Sequence, residues 1–322
     1  MELDFLRWLN TRLSSHPWLG VGPGDDAAVL QLGETGSQVV TCDLIADGVH
    51  FRAECDEPRR IGRKALAVNL SDLAAMAARP LAAFVSVAIP QQDSQGVTAA
   101  PHPPGERFPA ELAEQLYDGI LSLAQQYDVA IAGGDTNVWR GPLVINVTLI
   151  GATDKRKPLL RDGAIPGDRL IVTGSFGGSS LGHHFDFKPR VTEAMRLAEE
   201  YQLHAGMDCS DGLALDVGRL AEASDCGATV VPASIPIAED ARRLATETPG
   251  QTAIDHALGD GEDFELILAV PPKEAERLLA EQPLEIPLHD IGTFTERRGL
   301  WQSDGDRLLP LKPTGYEHGS QR

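Results

Sequence analysis

The chain has 322 residues, of which 42% are hydrophobic, 23% charged and only 5% aromatic, and its formal net charge is -19. This length suits about two domains of ordinary size, each with its own core. The negative charge argues against nucleic acid and anionic membranes as main partners, because the chain would repel both polyanions, but it allows a phosphorylated small molecule if cations neutralise the site.

Cysteine usage and the first residues indicate the compartment. Cys42, Cys55, Cys209 and Cys226 show no C-x-x-C spacing and form no metal-ligand pattern with histidine, which predicts reduced thiols rather than a disulfide framework. The acidic, amphipathic start differs from a signal or transit peptide, and no apolar run reaches the length of a membrane span. We therefore expect a cytoplasmic protein.

The first elements in chain order bring glycines and acids together. Residues 3 to 14 carry leucines at helical spacing and predict a short amphipathic helix. Gly20 to Gly24 then lead into Asp25 and Asp26, directly before an apolar strand. Paired acids at a strand entry can hold a divalent cation, although a Gly-Pro turn with solvated acids also explains the pattern.

A strand predicted at residues 37 to 42 ends in Thr41-Cys42-Asp43. Thr41 and Asp43 fall on one face by the strand period of two, so an oxygen and a carboxylate can reach the same point. His50 follows beside Phe51 and is a candidate for hydrogen bonding to a substrate, although a lone histidine is more often structural.

Pro58 begins a helix that we expect to run to about Arg79, where Pro80 would end it. Its alanine-rich sequence suits burial against a sheet, yet Asn69 and Asp72 lie three residues apart on one face. A buried acid needs a partner, because an unpaired buried charge is costly. The partner is either a structural Arg or Lys or a metal ion.

Glycines interrupt the pattern again after the next elements. These are a strand at 84 to 89, a surface loop at 91 to 108, a helix from Pro109 to Tyr127, a strand at 129 to 132 and a strand at 143 to 150. The strand at 129 to 132 is expected to end in Gly133-Gly134-Asp135-Thr136, which would place a carboxylate where backbone can approach phosphate. A plain glycine turn is the alternative.

A basic and then Gly-Pro-rich segment, residues 155 to 168, marks the predicted domain boundary, so we divide the chain into residues 1–153 and 154–322. Arg161 in this segment is available to a phosphate. The elements predicted beyond it are strands at 169 to 173, 228 to 231, 266 to 270 and 290 to 294 and helices near 238 to 247 and 273 to 281.

Residues 206 to 216, Gly-Met-Asp-Cys-Ser-Asp-Gly-Leu-Ala-Leu-Asp, are typical of a strand end that runs into a helix. Ser210 or Asp211 would cap this helix, and its remaining free amides would attract a phosphate. Asp208 and Asp211 would repel the same phosphate, so a functional arrangement needs a cation between them. A ligand-free helix cap is the alternative.

The chain contains no P-loop, no protein-kinase motif set and no dinucleotide-binding glycine motif. Eight other segments together resemble thiamine-monophosphate kinase in their order and approximate spacing. They are VGPGDDAAVL, DLIADGVHF, KALAVNLSDLAAMAARP, GGDT, LLRDGAIPGD, MDCSDGLALD, GDGEDFEL and GYEH. That family belongs to the group that includes aminoimidazole ribonucleotide synthetase and selenophosphate synthetase.

The resemblance implies a two-domain α/β (α+β) fold of the aminoimidazole ribonucleotide synthetase type, in a homodimer whose N-terminal domains pair into a barrel-like core. It also implies ATP-dependent phosphorylation of thiamine monophosphate to thiamine diphosphate, with ATP and several magnesium ions in a cleft. An acid-rich, lysine-poor site agrees with this chemistry, because magnesium takes oxygen ligands and can supply the positive charge.

By motif position, the resemblance assigns three sets of residues. The magnesium ligands would be Asp26, Thr41, Cys42, Asp43, Asp72, Asp135, Asp208 and Asp211. The ATP contacts would be Gly134, Asp135, Arg161 and Ser210. The thiamine phosphate contacts would be His50, Glu262 and Tyr316. No catalytic base is assigned, because the accepting phosphate oxygen is already ionised.

Four features depart from the family pattern. Cys42 stands where a second hydroxyl residue is usual, so only its main chain suits magnesium. Gly-Asp-Gly-Glu-Asp-Phe replaces the usual Gly-Gly-Glu-Asp-Tyr, the segment from Ser180 to Arg190 is short, and the loop at 91 to 108 is long. These departures keep an alternative open, a nucleotide- and magnesium-binding protein of the same superfamily with little turnover or another phosphorylated substrate. A synthetase relative is disfavoured, because the reactive cysteines of such relatives are missing.

Overall fold

Two mixed β-sheets, one from each half of the chain, form the framework of the protein. The computed structural model describes residues 17–22, 24–31, 37–91, 110–153, 156–305 and 307–317. The helix expected at residues 3 to 14, nearly all of the loop at 91 to 108, and Pro109 lie outside these described residues.

Six of the described strands form the first sheet. They are β1 (Leu19–Val21), β2 (Ala28–Leu30), β3 (Gln38–Ala46), β4 (Arg79–Pro90), β5 (Ala130–Trp139) and β6 (Val144–Ala152). Their order in the sheet is β1-β2-β3-β6-β4-β5. Only β4 and β5 run parallel, and the other neighbours are antiparallel.

Seven further strands form the second sheet. They are β7 (Arg169–Thr173), β8 (Ala205–Asp208), β9 (Gly227–Val230), β10 (Leu266–Val270), β11 (Leu288–Thr295), β12 (Gly299–Asp304) and β13 (Arg307–Pro310). Their order is β13-β12-β9-β11-β7-β10-β8, with a parallel pairing between β9 and β12.

Helices lie against both sheets. The α-helices of the described residues are α1 (Pro58–Ala75), α2 (Ala110–Gln126), α3 (His183–Asp186), α4 (Val191–Glu200), α5 (Leu213–Ala223), α6 (Glu239–Glu247), α7 (Ala253–Gly259) and α8 (Pro272–Glu281). Within the described ranges, none of these helices combines the length and the apolar character that crossing a bilayer requires. All four cysteines are free thiols.

Helix α1 packs against β3 and β6 on one face of the first sheet and is buried on nearly all sides. Pro58 occupies its first turn, where the missing amide costs nothing. The helix ends at Ala75 rather than near Arg79, because Ala77 adopts a left-handed backbone with φ of 51°. Pro80 therefore does not end the helix but lies inside strand β4.

Strand β5 is longer than the sequence predicts. It does not end at Ala132 but continues through Gly133-Gly134-Asp135-Thr136 and stays paired with β4 after a register shift. Gly134 has φ of 153°, and a β-carbon there would lie 1.8 Å from the carbonyl oxygen of Val85. Only glycine fits so close a backbone approach. Gly133 and Gly134 therefore neither end the strand nor form the alternative glycine turn but belong to an edge strand.

The two sheets differ in how their faces are covered. Along β6 buried and half-buried residues alternate, whereas every residue of β10 is buried. Alternation is typical of an antiparallel sheet that has one face on the core and one open face. Among the described residues, the first sheet therefore presents an uncovered face on the side away from α1.

Candidate active site

Three aspartates from distant parts of the chain meet between its two halves. Asp26 precedes β2, Asp72 lies in α1 and Asp208 ends β8, yet one carboxylate oxygen of each lies within 4.8 Å of the others. Like charges this close repel one another unless protons or a cation compensate them. We call Asp26, Asp72 and Asp208 the acid cluster.

Hydroxyl groups orient two members of the acid cluster. The hydroxyl of Thr41 in β3 donates to Asp72, and the hydroxyl of Ser71 donates to Asp208 across 2.5 Å. Both donors come from residues that pack beside α1 or belong to it, so the carboxylates are held in place before any ligand binds.

Asp43 lies next to the acid cluster on the same face of β3 as Thr41, as the strand period predicts. Its side chain shares a hydrogen bond with Asp72, and its amide donates to the side-chain oxygen of Asn69 across 3.2 Å. Asn69 and Asp72 therefore face the same strand from α1, in agreement with their spacing on the helix.

Burial makes the negative charge of this region costly. Desolvation raises the pKa of Asp72 and of Asp208 well above the usual range, and neighbouring carboxylates raise it further. Burial is also the main cause that raises the pKa of Asp43. Across the described ranges no Lys or Arg forms an ion pair with Asp72, so the structural pairing considered for this acid is not found.

Arg161 borders the acid cluster. Its guanidinium makes two hydrogen bonds to Asp26, at 3.0 and 2.5 Å, and its amide donates to Asp25 across 3.1 Å. Burial, followed by the charge of Asp26, raises the pKa of Asp25 to about 6 against the opposing hydrogen bond from Arg161. The fork geometry of the arginine suits a phosphate as well as a carboxylate.

The start of α5 differs from the prediction. Neither Ser210 nor Asp211 caps the helix, which is preceded by Gly212 without a side-chain cap. Asp216 of the first turn instead accepts hydrogen bonds from the amides of Asp211 and Gly212, at 2.9 and 3.1 Å. Asp211 itself forms an ion pair with Arg219. The amides of Asp211 and Gly212, directly before the helix, are therefore bonded within the protein.

Three predicted magnesium ligands have side chains that neither belong to the acid cluster nor hydrogen-bond to it within the described residues. Asp135 is exposed on edge strand β5, where it accepts a hydrogen bond from Asn137 across 2.8 Å. Asp211 is paired with an arginine, as described above. The thiol of Cys42 lies on the face of β3 opposite Asp43 and accepts a hydrogen bond from Asn146 across 3.3 Å. This orientation excludes the thiol, though not the main chain of Cys42, from the acid cluster.

Lys64 of α1 joins two of the predicted substrate residues. Its ammonium donates to the carbonyl oxygen of His50 across 2.8 Å and to the carboxylate of Glu262 across 2.5 Å. Burial lowers the pKa of Lys64, and the charge of Glu262 opposes this effect. Sequence reasoning missed Lys64, although a lysine inside an alanine-rich, largely buried helix was an available signal.

Glu262 belongs to the loop before β10 and has an unusual backbone. Glu262 and Phe264 both have positive φ, 56° and 52°, which is rare for residues other than glycine and clusters at functional sites. The amide of Glu262 donates to the carbonyl of Ser210 across 2.7 Å, and that of Tyr316 donates to the carbonyl of Asp211 across 2.8 Å. Predicted ATP and substrate residues thus meet near the start of α5.

The shortened segment at 180–190 is tightly held by α1. Arg63 donates to the carbonyl oxygens of Phe185 and Phe187, across 2.5 and 2.6 Å. The aromatic ring of Phe185 lies over Lys64, with 5.4 Å between the ammonium nitrogen and the ring centroid. The short segment therefore forms a structured wall beside Lys64.

Comparisons with known proteins agree with this architecture. Residues 24–153 match the family model of the N-terminal domain of AIR synthase related proteins, and residues 165–300 match that of the C-terminal domain. A thiamine-monophosphate kinase from Rhodopirellula baltica is 42% identical over 327 residues, which cover 99% of this chain and 98% of the relative.

Solved structures extend the comparison. The crystal structure of a thiamine-monophosphate kinase from Stenotrophomonas maltophilia K279a has a TM-score of 0.70 and 32% identity, and the match covers 93% of this chain and 94% of that one. AaThiL complexed with AMPPCP and TMP has a TM-score of 0.81 at 24% identity, with coverage of 98% and 96%, and shows the shared two-domain fold. The chain therefore belongs to the thiamine-monophosphate kinase family, within the AIR synthase related proteins.

Proposed function

We propose that the chain phosphorylates thiamine monophosphate with ATP and so produces thiamine diphosphate. The observation that carries this conclusion is 42% identity to a thiamine-monophosphate kinase over 99% of the chain. A group of three carboxylates between the two halves of the chain, with one arginine bonded to Asp26, supports it independently. Such a group suits two anionic substrates only when cations accompany them.

The acid cluster fits magnesium. Its donors are carboxylate oxygens, with Asp43 bonded to Asp72 beside them, and magnesium prefers oxygen ligands that it shares with substrate phosphates. We assign Asp26, Asp43, Asp72 and Asp208 as the central ligands. The further candidate ligands are Thr41, the main chain of Cys42, Asp135 and Asp211. When bound, magnesium would neutralise phosphate charge in the cleft.

The other assigned residues divide between the two substrates. Gly134, Asp135, Arg161 and Ser210 are the proposed ATP contacts, and the guanidinium of Arg161 suits phosphate oxygens. His50, Glu262 and Tyr316 are the proposed thiamine phosphate contacts. The carboxylate of Glu262 complements the positive charge of the thiazolium ring.

The chemical step needs orientation more than acid-base catalysis. The accepting oxygen of thiamine monophosphate is already ionised, so no side chain has to remove a proton. Phosphoryl transfer passes through a loose transition state in which the attacking and leaving oxygens lie roughly in line. The residues of the cleft would therefore act by holding two phosphate groups in that line.

The direct test incubates the protein with ATP, magnesium and thiamine monophosphate and measures thiamine diphosphate by chromatography. We expect product only when all three are present, and none when EDTA removes magnesium. Tight ATP binding without product would contradict the kinase proposal and favour the nucleotide-binding alternative.

We also propose that two copies pair through the open face of the first sheet. Leu44 and Phe84 on this face are 54% and 42% exposed, and Val138 and Trp139 of edge strand β5 are 42% and 43% exposed. Large exposed apolar patches of this kind usually mark interaction sites, and an exposed edge strand invites pairing. A second copy would cover both features in a two-fold arrangement.

Sedimentation velocity tests the pairing. Leu44→Asp should convert a dimer into a monomer, because it places a charge in the apolar contact. Leu121→Asp is the matched control, since Leu121 is 50% exposed on α2, away from this face. A wild-type monomer at micromolar concentration, or equal dissociation in both variants, would contradict this interface.

A further inference from the structure

We propose that Lys64 is a positioning residue for thiamine recognition, which fixes the carboxylate of Glu262 at the substrate end of the cleft without touching the substrate itself. The inference rests on the proposed kinase function and deepens it. Lys64 belongs to none of the residue sets that the family resemblance assigns.

Lys64 uses two of its three hydrogen-bond donors on partners within the protein, and an aromatic ring lies beside its ammonium group. An ammonium group has three donors. One is directed to the carbonyl oxygen of His50 at 2.8 Å and one to Glu262 at 2.5 Å, while the ring of Phe185 lies within cation-π distance. The side chain is 0% exposed, so it acts through these partners and not on a ligand.

Unlike Lys64, Glu262 is partly exposed to solvent. Its side chain is 36% exposed, although one carboxylate oxygen is bound to Lys64. An ionised carboxylate can accept several hydrogen bonds, so the bond to Lys64 leaves capacity for a second partner. The partner that suits it is a cationic or amino-bearing ring, and thiamine carries both a thiazolium and an aminopyrimidine.

The backbone of Glu262 is fixed independently of Lys64. Its left-handed conformation is held by the bond from its amide to Ser210, and on its C-terminal side Phe264 donates to the carbonyl of Cys209 across 2.8 Å. The next carboxylate, Asp263, accepts a hydrogen bond from the amide of Gly177 across 2.8 Å. The backbone contacts leave the Glu262 side chain free to rotate, and the hydrogen bond from Lys64 fixes its direction.

Helix α1 links this pair to the acid cluster. Lys64 and Asp72 are eight residues apart on the same helix, which is about 12 Å along its axis. Because a buried helix is rigid, α1 fixes the distance between two sites. One is the site beside Lys64, which would hold the thiamine ring, and the other is the acid cluster, which would hold phosphate and magnesium. Because in-line transfer depends on position, an unfixed Glu262 would lose part of the binding energy that aligns the substrate.

The shortened segment at 180–190 completes the surroundings of Lys64. The ammonium of Lys64 lies over the aromatic ring of Phe185 from this segment, 5.4 Å from the ring centroid. Arg63, one residue before Lys64, holds the carbonyl of Phe185 at 2.5 Å. A segment that departs from the family pattern thus contributes directly to the surroundings of Lys64.

Steady-state kinetics of Lys64→Met test the inference. We expect KM for thiamine monophosphate to rise at least tenfold while KM for ATP changes less than twofold, because only the thiamine contact depends on Glu262. Arg59→Met is the matched control, since Arg59 lies on the same helix but is 61% exposed and pairs with Asp118 on the surface. It should behave like the wild type.

A double variant distinguishes positioning from a general structural role. If Lys64 acts through Glu262, the pair Lys64→Met with Glu262→Gln should lose no more than Glu262→Gln alone. Additive losses, an equal loss for both substrates, or wild-type kinetics of Lys64→Met would overturn the inference. Should Lys64→Met fail to fold, Lys64→Gln replaces it, because it keeps a donor near His50 but lacks the charge.

Calorimetric titration with thiamine monophosphate separates this inference from the proposed function. A wild-type protein without turnover refutes the kinase proposal. The positioning inference still stands if that protein binds thiamine monophosphate and Lys64→Met weakens the binding at least tenfold. It fails if the affinity is unchanged or if the wild type does not bind the compound.

Discussion

The two ends of the proposed cleft differ in how their buried charges are balanced. At one end the acid cluster gathers Asp26, Asp72 and Asp208 within 4.8 Å, and within the described part of the chain only Asp26 has an arginine partner at hydrogen-bonding distance. At the other end the buried ammonium of Lys64 is matched by Glu262. The acid cluster is electrostatically complete only with protons or added cations, whereas the lysine end is complete within the polypeptide.

This difference indicates that the acid cluster and the Lys64–Glu262 pair have different functions. Carboxylates without enough cations gain by binding magnesium and the phosphates that accompany it. A matched ion pair needs no metal ion for charge balance, and it holds the carboxylate in one direction. The two ends should therefore respond differently to substitution, to magnesium and to pH.

The largest effect is expected for Asp43→Asn at the acid end. Turnover should fall at least about a hundredfold, because the variant removes charge from a centre that stabilises transferring phosphate. The measurement is kcat with saturating ATP, magnesium and thiamine monophosphate. Asp118→Asn, on the exposed surface of α2, is the control. A loss of tenfold or less would count against Asp43 as a ligand.

Glu262→Ala probes the lysine end. KM for thiamine monophosphate should rise at least about tenfold, because a hydrogen bond to a charged group contributes about 1.5 to 3 kcal/mol and 1.4 kcal/mol corresponds to about a factor of ten. KM for ATP should stay near the wild-type value. Equal losses for the two substrates would show that the ends of the cleft are not separate.

Thermal unfolding in EDTA compares the two ends directly. Asp72→Asn should raise Tm by about 2 °C or more, because it relieves repulsion among buried carboxylates, whereas Lys64→Met should lower it by leaving Glu262 without its partner. Magnesium should then stabilise the wild type more than Asp72→Asn. A lower Tm of Asp72→Asn in EDTA would contradict the electrostatic account of the acid cluster.

The smallest effect concerns Asp263, an unmatched acid beside the lysine end. One of its oxygens accepts a hydrogen bond from Gly177, and the other is buried with no hydrogen-bond partner among the residues that the structure describes. Burial raises the pKa of Asp263 well above the usual value of 3.8. The folded protein thus keeps a proton that the unfolded chain releases above pH 3.8. Stability from this group is present below that pH and is lost as pH rises through the folded pKa.

Denaturant unfolding from mildly acidic to neutral pH tests the contribution of Asp263. In the wild type, the free energy of unfolding should decline more steeply with rising pH than in Asp263→Asn, which cannot ionise. Asp118→Asn again serves as the control with the wild-type slope. Identical slopes in wild type and Asp263→Asn would show that Asp263 does not titrate in this range.

Local patterns predicted much of the fold. The strands at 169 to 173 and 266 to 270 have the expected bounds, and helix α1 begins at Pro58 as predicted. These features depend on the composition of short windows and on the fixed φ of proline. The sequence analysis did not predict helices α4 and α7 or strands β12 and β13. Helix α7 and the two strands are short, whereas α4 buries Val191, Ala194 and Leu197 at helical spacing, a signal that was available but overlooked.

The wrong predictions have a common physical cause. The strand before Gly133 was expected to stop at the glycines, but pairing with β4 carries it on. The helix after Gly212 was expected to use a side-chain cap, but Asp216 turns back to the amides instead. In the first case a distant strand satisfied the backbone groups, and in the second a side chain in the first turn of the helix did so, and local propensity yields to such pairing.

The sequence alone predicted most strands and helices, the family resemblance and the motifs that contain the candidate residues. The folded arrangement decided which of those residues meet: it gathered Asp26, Asp72 and Asp208, kept Asp135 and Asp211 outside that group, and paired Lys64 with a glutamate 198 residues away. Periodicity reports which face of one element a residue occupies. The packing of whole helices and strands decides which faces come together, and a short window of residues does not contain that information.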